Sequence, residues 1–198
     1  MNIEAQDKEF TRDERSGLFL GRRFTQDGAA FTFRMSTSFP GSITRKHPVT
    51  VEPCWPDQTN PPTFFGQGVI VDDTSANGVR VPASGDSGVT SIYGITVRPF
   101  PFQQATTTNY GQIAFGAAAV PSTQALDILR AGYIAVTAQG AAPTYKGAPV
   151  HLNIVAGTGY VVGGFSADTV SGTFVTLADA LWNGPAGSDG VAELAFNI

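Results

Sequence analysis

The sequence predicts an all-β fold: an antiparallel two-sheet sandwich of jelly-roll type with one short helix and an extended N-terminal arm. Three observations lead to this prediction. The 198 residues are enough for one domain with a substantial core and few for two. The 23 glycines and 13 prolines divide the chain into many short segments. From Phe31 onward these segments have the alternating, β-branched character of strands.

The first 34 residues are predicted to form an arm outside the folded domain, which is expected to comprise residues 35–198. This arm carries 12 of the 28 charged residues, and its apolar residues lack a period that would bury one face. The alternative is an exposed helix from about Glu4 to Arg15, packed on its own domain. Arg22 and Arg23 follow an apolar Leu-Phe-Leu and are candidate contacts to an adjacent subunit.

Strand candidates succeed one another through the first half of the domain. FTFRM alternates apolar and polar residues, and PVTVEP is expected to place Val49 and Val51 on one face. FFGQGVIVDD and VRVP flank an Asn-Gly pair, which predicts a hairpin. VTSIYGITVRPFPF is the longest strand-like segment, and Pro99 and Pro101 are expected to end it.

One short helix and five further strands are expected in the second half. STQALDILRAG predicts the helix: a serine or threonine can cap its start, Leu126, Leu129 and Arg130 recur at helical spacing, and Gly132 suits its end. The strand candidates are YIAVTA, APVHLNIV, GYVVGGF, TFVTL and VAELAF.

Charge and cysteine content argue against several classes of function. The formal net charge of −4 does not favour nucleic acid as a partner, and no apolar run is long enough to predict a membrane span. A single cysteine allows neither an intrachain disulfide nor a cysteine-based zinc site. Asp72, Asp73 and Asp86 could hold calcium, but such clusters in turns are usually solvated. We therefore expect no metal and no cofactor.

The stretch SGDSGVT contains Gly-Asp-Ser-Gly, which surrounds the nucleophile of chymotrypsin-like proteases. A protease also needs a histidine and a carboxylate, which His47 with Asp72 or Asp73 would have to supply to Ser87. In that fold the histidine and the serine lie in different halves of the enzyme, and 40 residues of separation are too few. His151 alternates with strand residues and is expected to be a sheet residue. We predict that Ser87 is a loop residue and that the chain is not an enzyme.

Six segments in a fixed order resemble the structural cement proteins of tailed bacteriophages. The resemblance covers about Met35 to Ile198 and leaves residues 1–34 unexplained. It implies a protein that binds the outer surface of the mature capsid and clamps neighbouring major capsid subunits against the pressure of the packaged genome. Its expected partners are the major capsid protein and further copies, as a homodimer or homotrimer, in the virion after assembly in the host cytoplasm. The segments are TSFPGSITRKHPVTVEP, FFGQGVIVDD, IYGITVRPFPFQ, LRAGYIAVTAQG, YKGAPVHL and LWNGPAGSDGVAELAFNI.

The segment VRPFPF is the preferred interface candidate within the domain. Its prolines keep the chain extended, so that Phe100 and Phe102 share a side next to Arg98, and arginine and aromatic residues dominate binding hot spots. Alternatively, the phenylalanines plug the end of the sandwich and Arg98 pairs with a carboxylate. Trp182 is either an interface anchor or part of the core.

A second class of function also fits the composition. Low charge, at 14% of residues, together with a high aromatic content, is compatible with a carbohydrate- or receptor-binding β-sandwich on a phage tail or fibre. A tail or fibre protein of this kind would be present in fewer copies per virion than a protein that covers the capsid.

Overall fold

The computed structural model describes residues 38–73, 78–86, 91–99, 120–169 and 173–198. Nine strands form the regular structure of these ranges, together with a single 3-10 turn at Ser84–Asp86. No helix in the described ranges is long and apolar enough to cross a membrane. The strands are β1 (Thr50–Pro56), β2 (Gly68–Val71), β3 (Gly78–Arg80), β4 (Gly94–Thr96), β5 (Leu126–Thr137), β6 (Pro149–Asn153), β7 (Phe165–Ser166), β8 (Phe174–Trp182) and β9 (Val191–Phe196).

Five of the strands form a closed ring of hydrogen-bonded pairs. β1 pairs with β3 in parallel, and the pairs β3–β2, β2–β4 and β4–β5 are antiparallel. The antiparallel pair β1–β5 closes the ring, with Cys54 opposite Leu126 and Thr50 opposite Ala131. Because each of these strands has a partner on both sides, ring closure removes the free edges that would otherwise invite non-specific pairing.

The second half of β5 leaves the ring and begins a further group of strands. It pairs with β9, and the pairs β9–β8, β8–β6 and β6–β7 follow, all of them antiparallel. An isolated bridge pairs Ala138, directly after β5, with Phe165 of β7. It links β7, the last strand of this group, to the end of β5, its first strand. All nine strands therefore belong to one mixed sheet, and β5 is common to its two parts.

Two apolar clusters fill this architecture. The smaller one takes residues from β1, β2, β3 and β5, and so occupies the inside of the ring. Gly94 of β4 completes it, because a Cβ at this position would lie only 2.4 Å from Cγ2 of Ile128. The larger cluster is built around Trp182, Phe165 and Phe196, which are fully buried. The smaller cluster consists of Cys54, Val69, Val79, Leu126 and Ile128.

The structure confirms the all-β fold and the predicted hairpin, in which β2 pairs with β3 and Val71 lies opposite Val79. It does not confirm the two-sheet jelly-roll arrangement, since the pairings form a single mixed sheet. The predicted common face of Val49 and Val51 is wrong. A register shift between Thr50 and Val51 separates the two, so that Val49 packs on the larger cluster while Val51 is exposed. The candidate strand FTFRM lies outside the described residues.

The predicted helix at residues 122–132 is wrong, because this segment enters β5. Ile128 faces the inside of the ring and Leu129 faces the larger cluster, so both sides of the strand are buried. A strand buried on both faces lacks simple alternation, and its apolar spacing then imitates that of a helix. Gly132 marks the point where β5 passes from the ring to β9, with a φ of 145° that favours glycine.

Candidate interaction surfaces

An exposed apolar stripe runs along the outer side of the ring on β1. Val51, Pro53 and Trp55 are exposed, whereas Cys54, between the last two, is buried in the smaller cluster. Alternate residues of a strand share a face, so the three project together. Trp55 is 54% exposed although it stands on a strand that is paired on both sides. We call Val51, Pro53 and Trp55 the β1 stripe.

A second exposed apolar feature crosses four strands of the other part of the sheet. Tyr133 lies opposite Ala195, Ala195 opposite Leu181, and Leu181 opposite Pro149. Residues directly opposite each other on neighbouring strands project to the same face, with Cβ atoms about 5 Å apart. These four residues are the apolar row.

The apolar row points away from the core. The residues that follow or precede it along the strands, Ile134, Leu194 and Trp182, are fully buried, so the row itself faces outward. Leu181 is 52% exposed. Tyr145, 60% exposed, belongs to the loop before β6, which Gly147 ties to the end of β8 through its N–H. Contiguous exposed apolar residues of this kind mark interaction surfaces.

A satisfied carboxylate lies at the Tyr133 end of the row. Arg45 stacks over the ring of Tyr133, with Cζ 4.1 Å from the centroid, and its Nε and Nη2 donate to Glu193 at 3.1 and 2.8 Å. Thr44 and Asn183 donate to the same carboxylate. Burial opposes ionisation of Glu193, but these hydrogen bonds outweigh it and hold the pKa of Glu193 below its ordinary value. Glu193 therefore has its donors within the chain.

Asp179 is a second carboxylate close to the apolar row along β8, and one of its two oxygens is unsatisfied. It lies two residues before Leu181 on β8, where the pairing with β6 is irregular, because Pro149 lies opposite Leu181 and the next residue, Val150, lies opposite Leu177. Its Oδ1 is buried and has no hydrogen-bond partner among the described residues. Burial raises the pKa of Asp179.

A cleft of ≈ 430 Å³ beside the ring contains paired charges. Arg130 stacks over the ring of Tyr93 at 3.6 Å and lies 3.6 Å from a carboxylate oxygen of Glu52. The hydroxyl of Tyr93 donates to Glu52 at 2.7 Å, and mainly for this reason the pKa of Tyr93 is raised to about 12. Arg80 binds both carboxylate oxygens of Asp86 at 2.8 and 3.1 Å. Both arginines that line the cleft are thus paired with a carboxylate.

Arg98 stands just beyond the end of β4. Its guanidinium lies over the rings of Phe39 and Phe65, with Cζ 5.1 and 5.9 Å from the centroids, and its backbone N–H donates to Gly41 at 2.8 Å. Within the described ranges it forms no ion pair with a carboxylate. Two aromatic rings therefore hold this cation in place at the end of the strand.

The other predicted interface residues divide into two groups. Trp182 is fully buried in the larger cluster, where its side chain offers no surface to a partner. The remaining four lie outside the described residues. They are Arg22, Arg23, Phe100 and Phe102.

Two of the residues considered for catalysis or metal binding, Asp86 and His151, have structural partners. Asp86 is bound to Arg80, and Nδ1 of the buried His151 lies 2.9 Å from Oγ1 of Thr176. Burial lowers the pKa of His151. Among the described residues, no group of three or more histidine, cysteine or acidic side chains is arranged to hold a metal ion. Ser87 lies outside these residues.

Sequence reasoning missed both apolar surfaces, for different reasons. The β1 stripe could have been predicted, because strict alternation through EPCWP places Pro53 and Trp55 on the face opposite Cys54. The apolar row could not have been predicted, since its four members are far apart in the sequence and only the register of four strands brings them together.

Comparison with known proteins identifies the family. Residues 28–197 match the model of the phage structural cement proteins, described as "Structural cement protein (E217 gp24/Pam3 gp6)". The chain belongs to this family. Only the first 27 residues and Ile198 lie outside the match. The family implies a structural role. No curated protein sequence matches the chain.

A solved structure agrees with this assignment at the level of the fold. A chain from "The capsid of Myoviridae Phage XM1" is similar with a TM-score of 0.55 at 16% sequence identity. The similarity covers 81% of this chain and 91% of that chain. Because the identity is low, this similarity shows only that the cement protein and the capsid chain share a fold.

Proposed function

We propose that this cement protein binds the outer surface of the mature capsid and clamps neighbouring major capsid subunits against the pressure of the packaged genome. The observation that carries the proposal, beyond the family, is the β1 stripe. Trp55 is a large aromatic side chain held exposed on a closed ring, so binding costs little conformational entropy, and tryptophan is a frequent hot-spot residue.

The proposed clamp acts through several weak contacts. Residues 35–198 form the rigid cement domain and residues 1–34 an arm, and copies assemble as homodimers or homotrimers. Each contact that one copy makes raises the effective concentration of the next, so modest pairwise affinity suffices. Arg98, Phe100 and Phe102 at the end of β4, and Arg22 and Arg23 in the arm, are proposed as further contacts.

Binding to purified cognate capsids tests this function. The parent protein is expected to co-sediment with expanded capsids, and Trp55→Ala to weaken binding at least tenfold, since truncation of a hot spot typically costs about 2 kcal/mol or more. Val161→Ala is the control, because it shortens a similarly exposed apolar side chain outside both apolar surfaces. Equal behaviour of the two variants would exclude the β1 stripe, and failure of the parent to bind any capsid form would exclude the function.

The clamping role has its own measurement. Filled capsids saturated with the protein are expected to release their genome at a higher temperature than undecorated ones, and an unchanged release temperature would contradict the clamp.

Exposed Trp55 also suits a sugar-binding platform, as the tail or fibre alternative requires. Glycan binding that is lost in Trp55→Ala, with only a few copies per virion, would favour that alternative.

A further inference from the structure

We infer that Trp55 and Asp127 together bind an arginine side chain of a capsid subunit, with its guanidinium stacked on the indole and donating to the carboxylate. The inference rests on the proposed function, because it names the chemical group on the shell that the β1 stripe recognises. It adds a charged residue of β5 to a surface that is otherwise apolar.

Asp127 is the only charged side chain on the five ring strands that has no opposite charge in the part of the chain that the structure describes. The others are paired, since Glu52 lies 3.6 Å from Arg130 and Arg80 lies 2.8 Å from Asp86. Asp127 is exposed and belongs to none of the ion pairs of the described residues. Its carboxylate is therefore open to a cation from outside the chain.

The strand register places Asp127 on the face of the β1 stripe. Pro53 lies directly opposite Asp127, within a stretch of regular pairing that includes Val51 and ends at Cys54. Leu126 and Ile128, on either side of Asp127, are buried inside the ring, so the side chain of Asp127 projects outward.

Trp55 completes the site as a diagonal neighbour of Asp127. It follows Pro53 by two residues on the same face, and diagonal neighbours of an antiparallel pair lie about 7–8 Å apart. A guanidinium suits this separation, because its planar face stacks on an indole while its N–H groups donate to a carboxylate. Trp55 and Asp127 project from strands that are paired on both sides, so the site is preorganised for binding.

The charge around Trp55 favours a cation over a neutral partner. Asp57 follows Trp55 by two residues, and its Oδ2 accepts a hydrogen bond from the N–H of Asn60 at 2.8 Å. Backbone hydrogen bonds from Thr59 and Asn60 lower the pKa of Asp57, so this carboxylate is ionised at neutral pH. Arginine suits the site better than lysine, because the lysine ammonium is a compact, strongly hydrated charge without a planar face.

Co-sedimentation with expanded capsids at several salt concentrations tests the role of Asp127. Asp127→Asn is expected to weaken binding about tenfold and to make binding less dependent on salt, because it removes an ion pair. Asp168→Asn is the matched control, since Asp168 is an exposed carboxylate outside both apolar surfaces whose Oδ1 accepts only from the neighbouring Thr169. Circular dichroism checks the fold of both variants. Equal binding by the two variants would overturn the inference.

Chemical modification of the capsid identifies the group that Asp127 binds. Phenylglyoxal, which reacts with arginine, is expected to weaken binding of the parent about tenfold, whereas acetylation of capsid lysines leaves it largely unchanged. Asp127→Asn is expected to lose much less on phenylglyoxal treatment, because the two changes remove the same contact. An equal loss for the parent and Asp127→Asn, or a loss only after lysine acetylation, would overturn the inference.

The outcomes distinguish this inference from the proposed function. If the parent binds capsids and Trp55→Ala weakens binding while Asp127→Asn does not, the function stands and the β1 stripe binds an apolar group or a sugar instead of a guanidinium. If the parent binds no capsid form, the function and the inference are both wrong.

Discussion

Glu193 is a single charged residue that makes the stability of this fold depend on pH. Its folded pKa lies below the unfolded value of about 4.3, so it contributes stability that is fully present above that value and is lost as the pH falls through the folded pKa. Glu193→Gln keeps the shape but weakens the hydrogen bonds from Arg45, Thr44 and Asn183. We expect it to lower the free energy of unfolding at pH 7 by about 1–3 kcal/mol.

Urea denaturation of Glu193→Gln and the parent between pH 3 and pH 8 checks this expectation. The difference between the two proteins should shrink below about pH 4, where Glu193 becomes protonated and its ionic contacts are lost. Asp127→Asn serves as the control, because Asp127 is an exposed carboxylate on β5, and it should change stability by no more than about 0.5 kcal/mol. A difference for Glu193→Gln that is constant across this pH range would show that charge is not what Glu193 contributes.

At the scale of elements, β5 determines how the two parts of the sheet are joined. It pairs with β1 and β4 before Gly132 and with β9 from Gly132 onward. A Cβ at Gly132 would lie 3.0 Å from the carbonyl oxygen of Pro48 and 3.2 Å from Cδ1 of Leu129, at a φ that side chains rarely adopt. We expect Gly132→Ala to destabilise the domain by about 1–3 kcal/mol.

Thermal unfolding of Gly132→Ala measures this cost. Gly184→Ala is the matched control, since a Cβ there meets no atom within 4 Å and the backbone has an ordinary φ. It should leave the melting temperature nearly unchanged. If Gly132→Ala were equally harmless, the passage of β5 between its two sets of partners would not depend on glycine.

Local sequence patterns predicted those elements that are determined by residues close together in the chain. The β2–β3 hairpin follows from an Asn-Gly pair, and β9 from the alternation that turns Ala192, Leu194 and Phe196 inward. β5 was predicted as a helix in its first half because burial on both faces erased the alternation. The ring closure and the apolar row depend on pairing between strands distant in the chain, and no local pattern encodes that register.

At the scale of the whole molecule, the two apolar surfaces lie on different parts of the sheet and suit different partners. The β1 stripe projects from the closed ring, where a rigid tryptophan can engage a capsid subunit. The apolar row crosses the four strands β5, β9, β8 and β6 of the other part of the sheet. A cement protein with one surface for the shell and another for its neighbours would reinforce the shell as a connected layer, because each copy is held by both.

Deletion of residues 1–34 tests the proposed contribution of the arm to capsid attachment. The larger and smaller clusters are built from described residues between Ile43 and Phe196, so the truncated domain is expected to fold, with a melting temperature within about 4 °C of the parent. Attachment to expanded capsids should weaken severalfold, because the proposed contacts of Arg22 and Arg23 are lost. Calorimetry and capsid co-sedimentation measure the two quantities. A truncated chain that fails to fold would place the arm in the core, and one that attaches as tightly as the parent would show that the arm does not contribute to attachment.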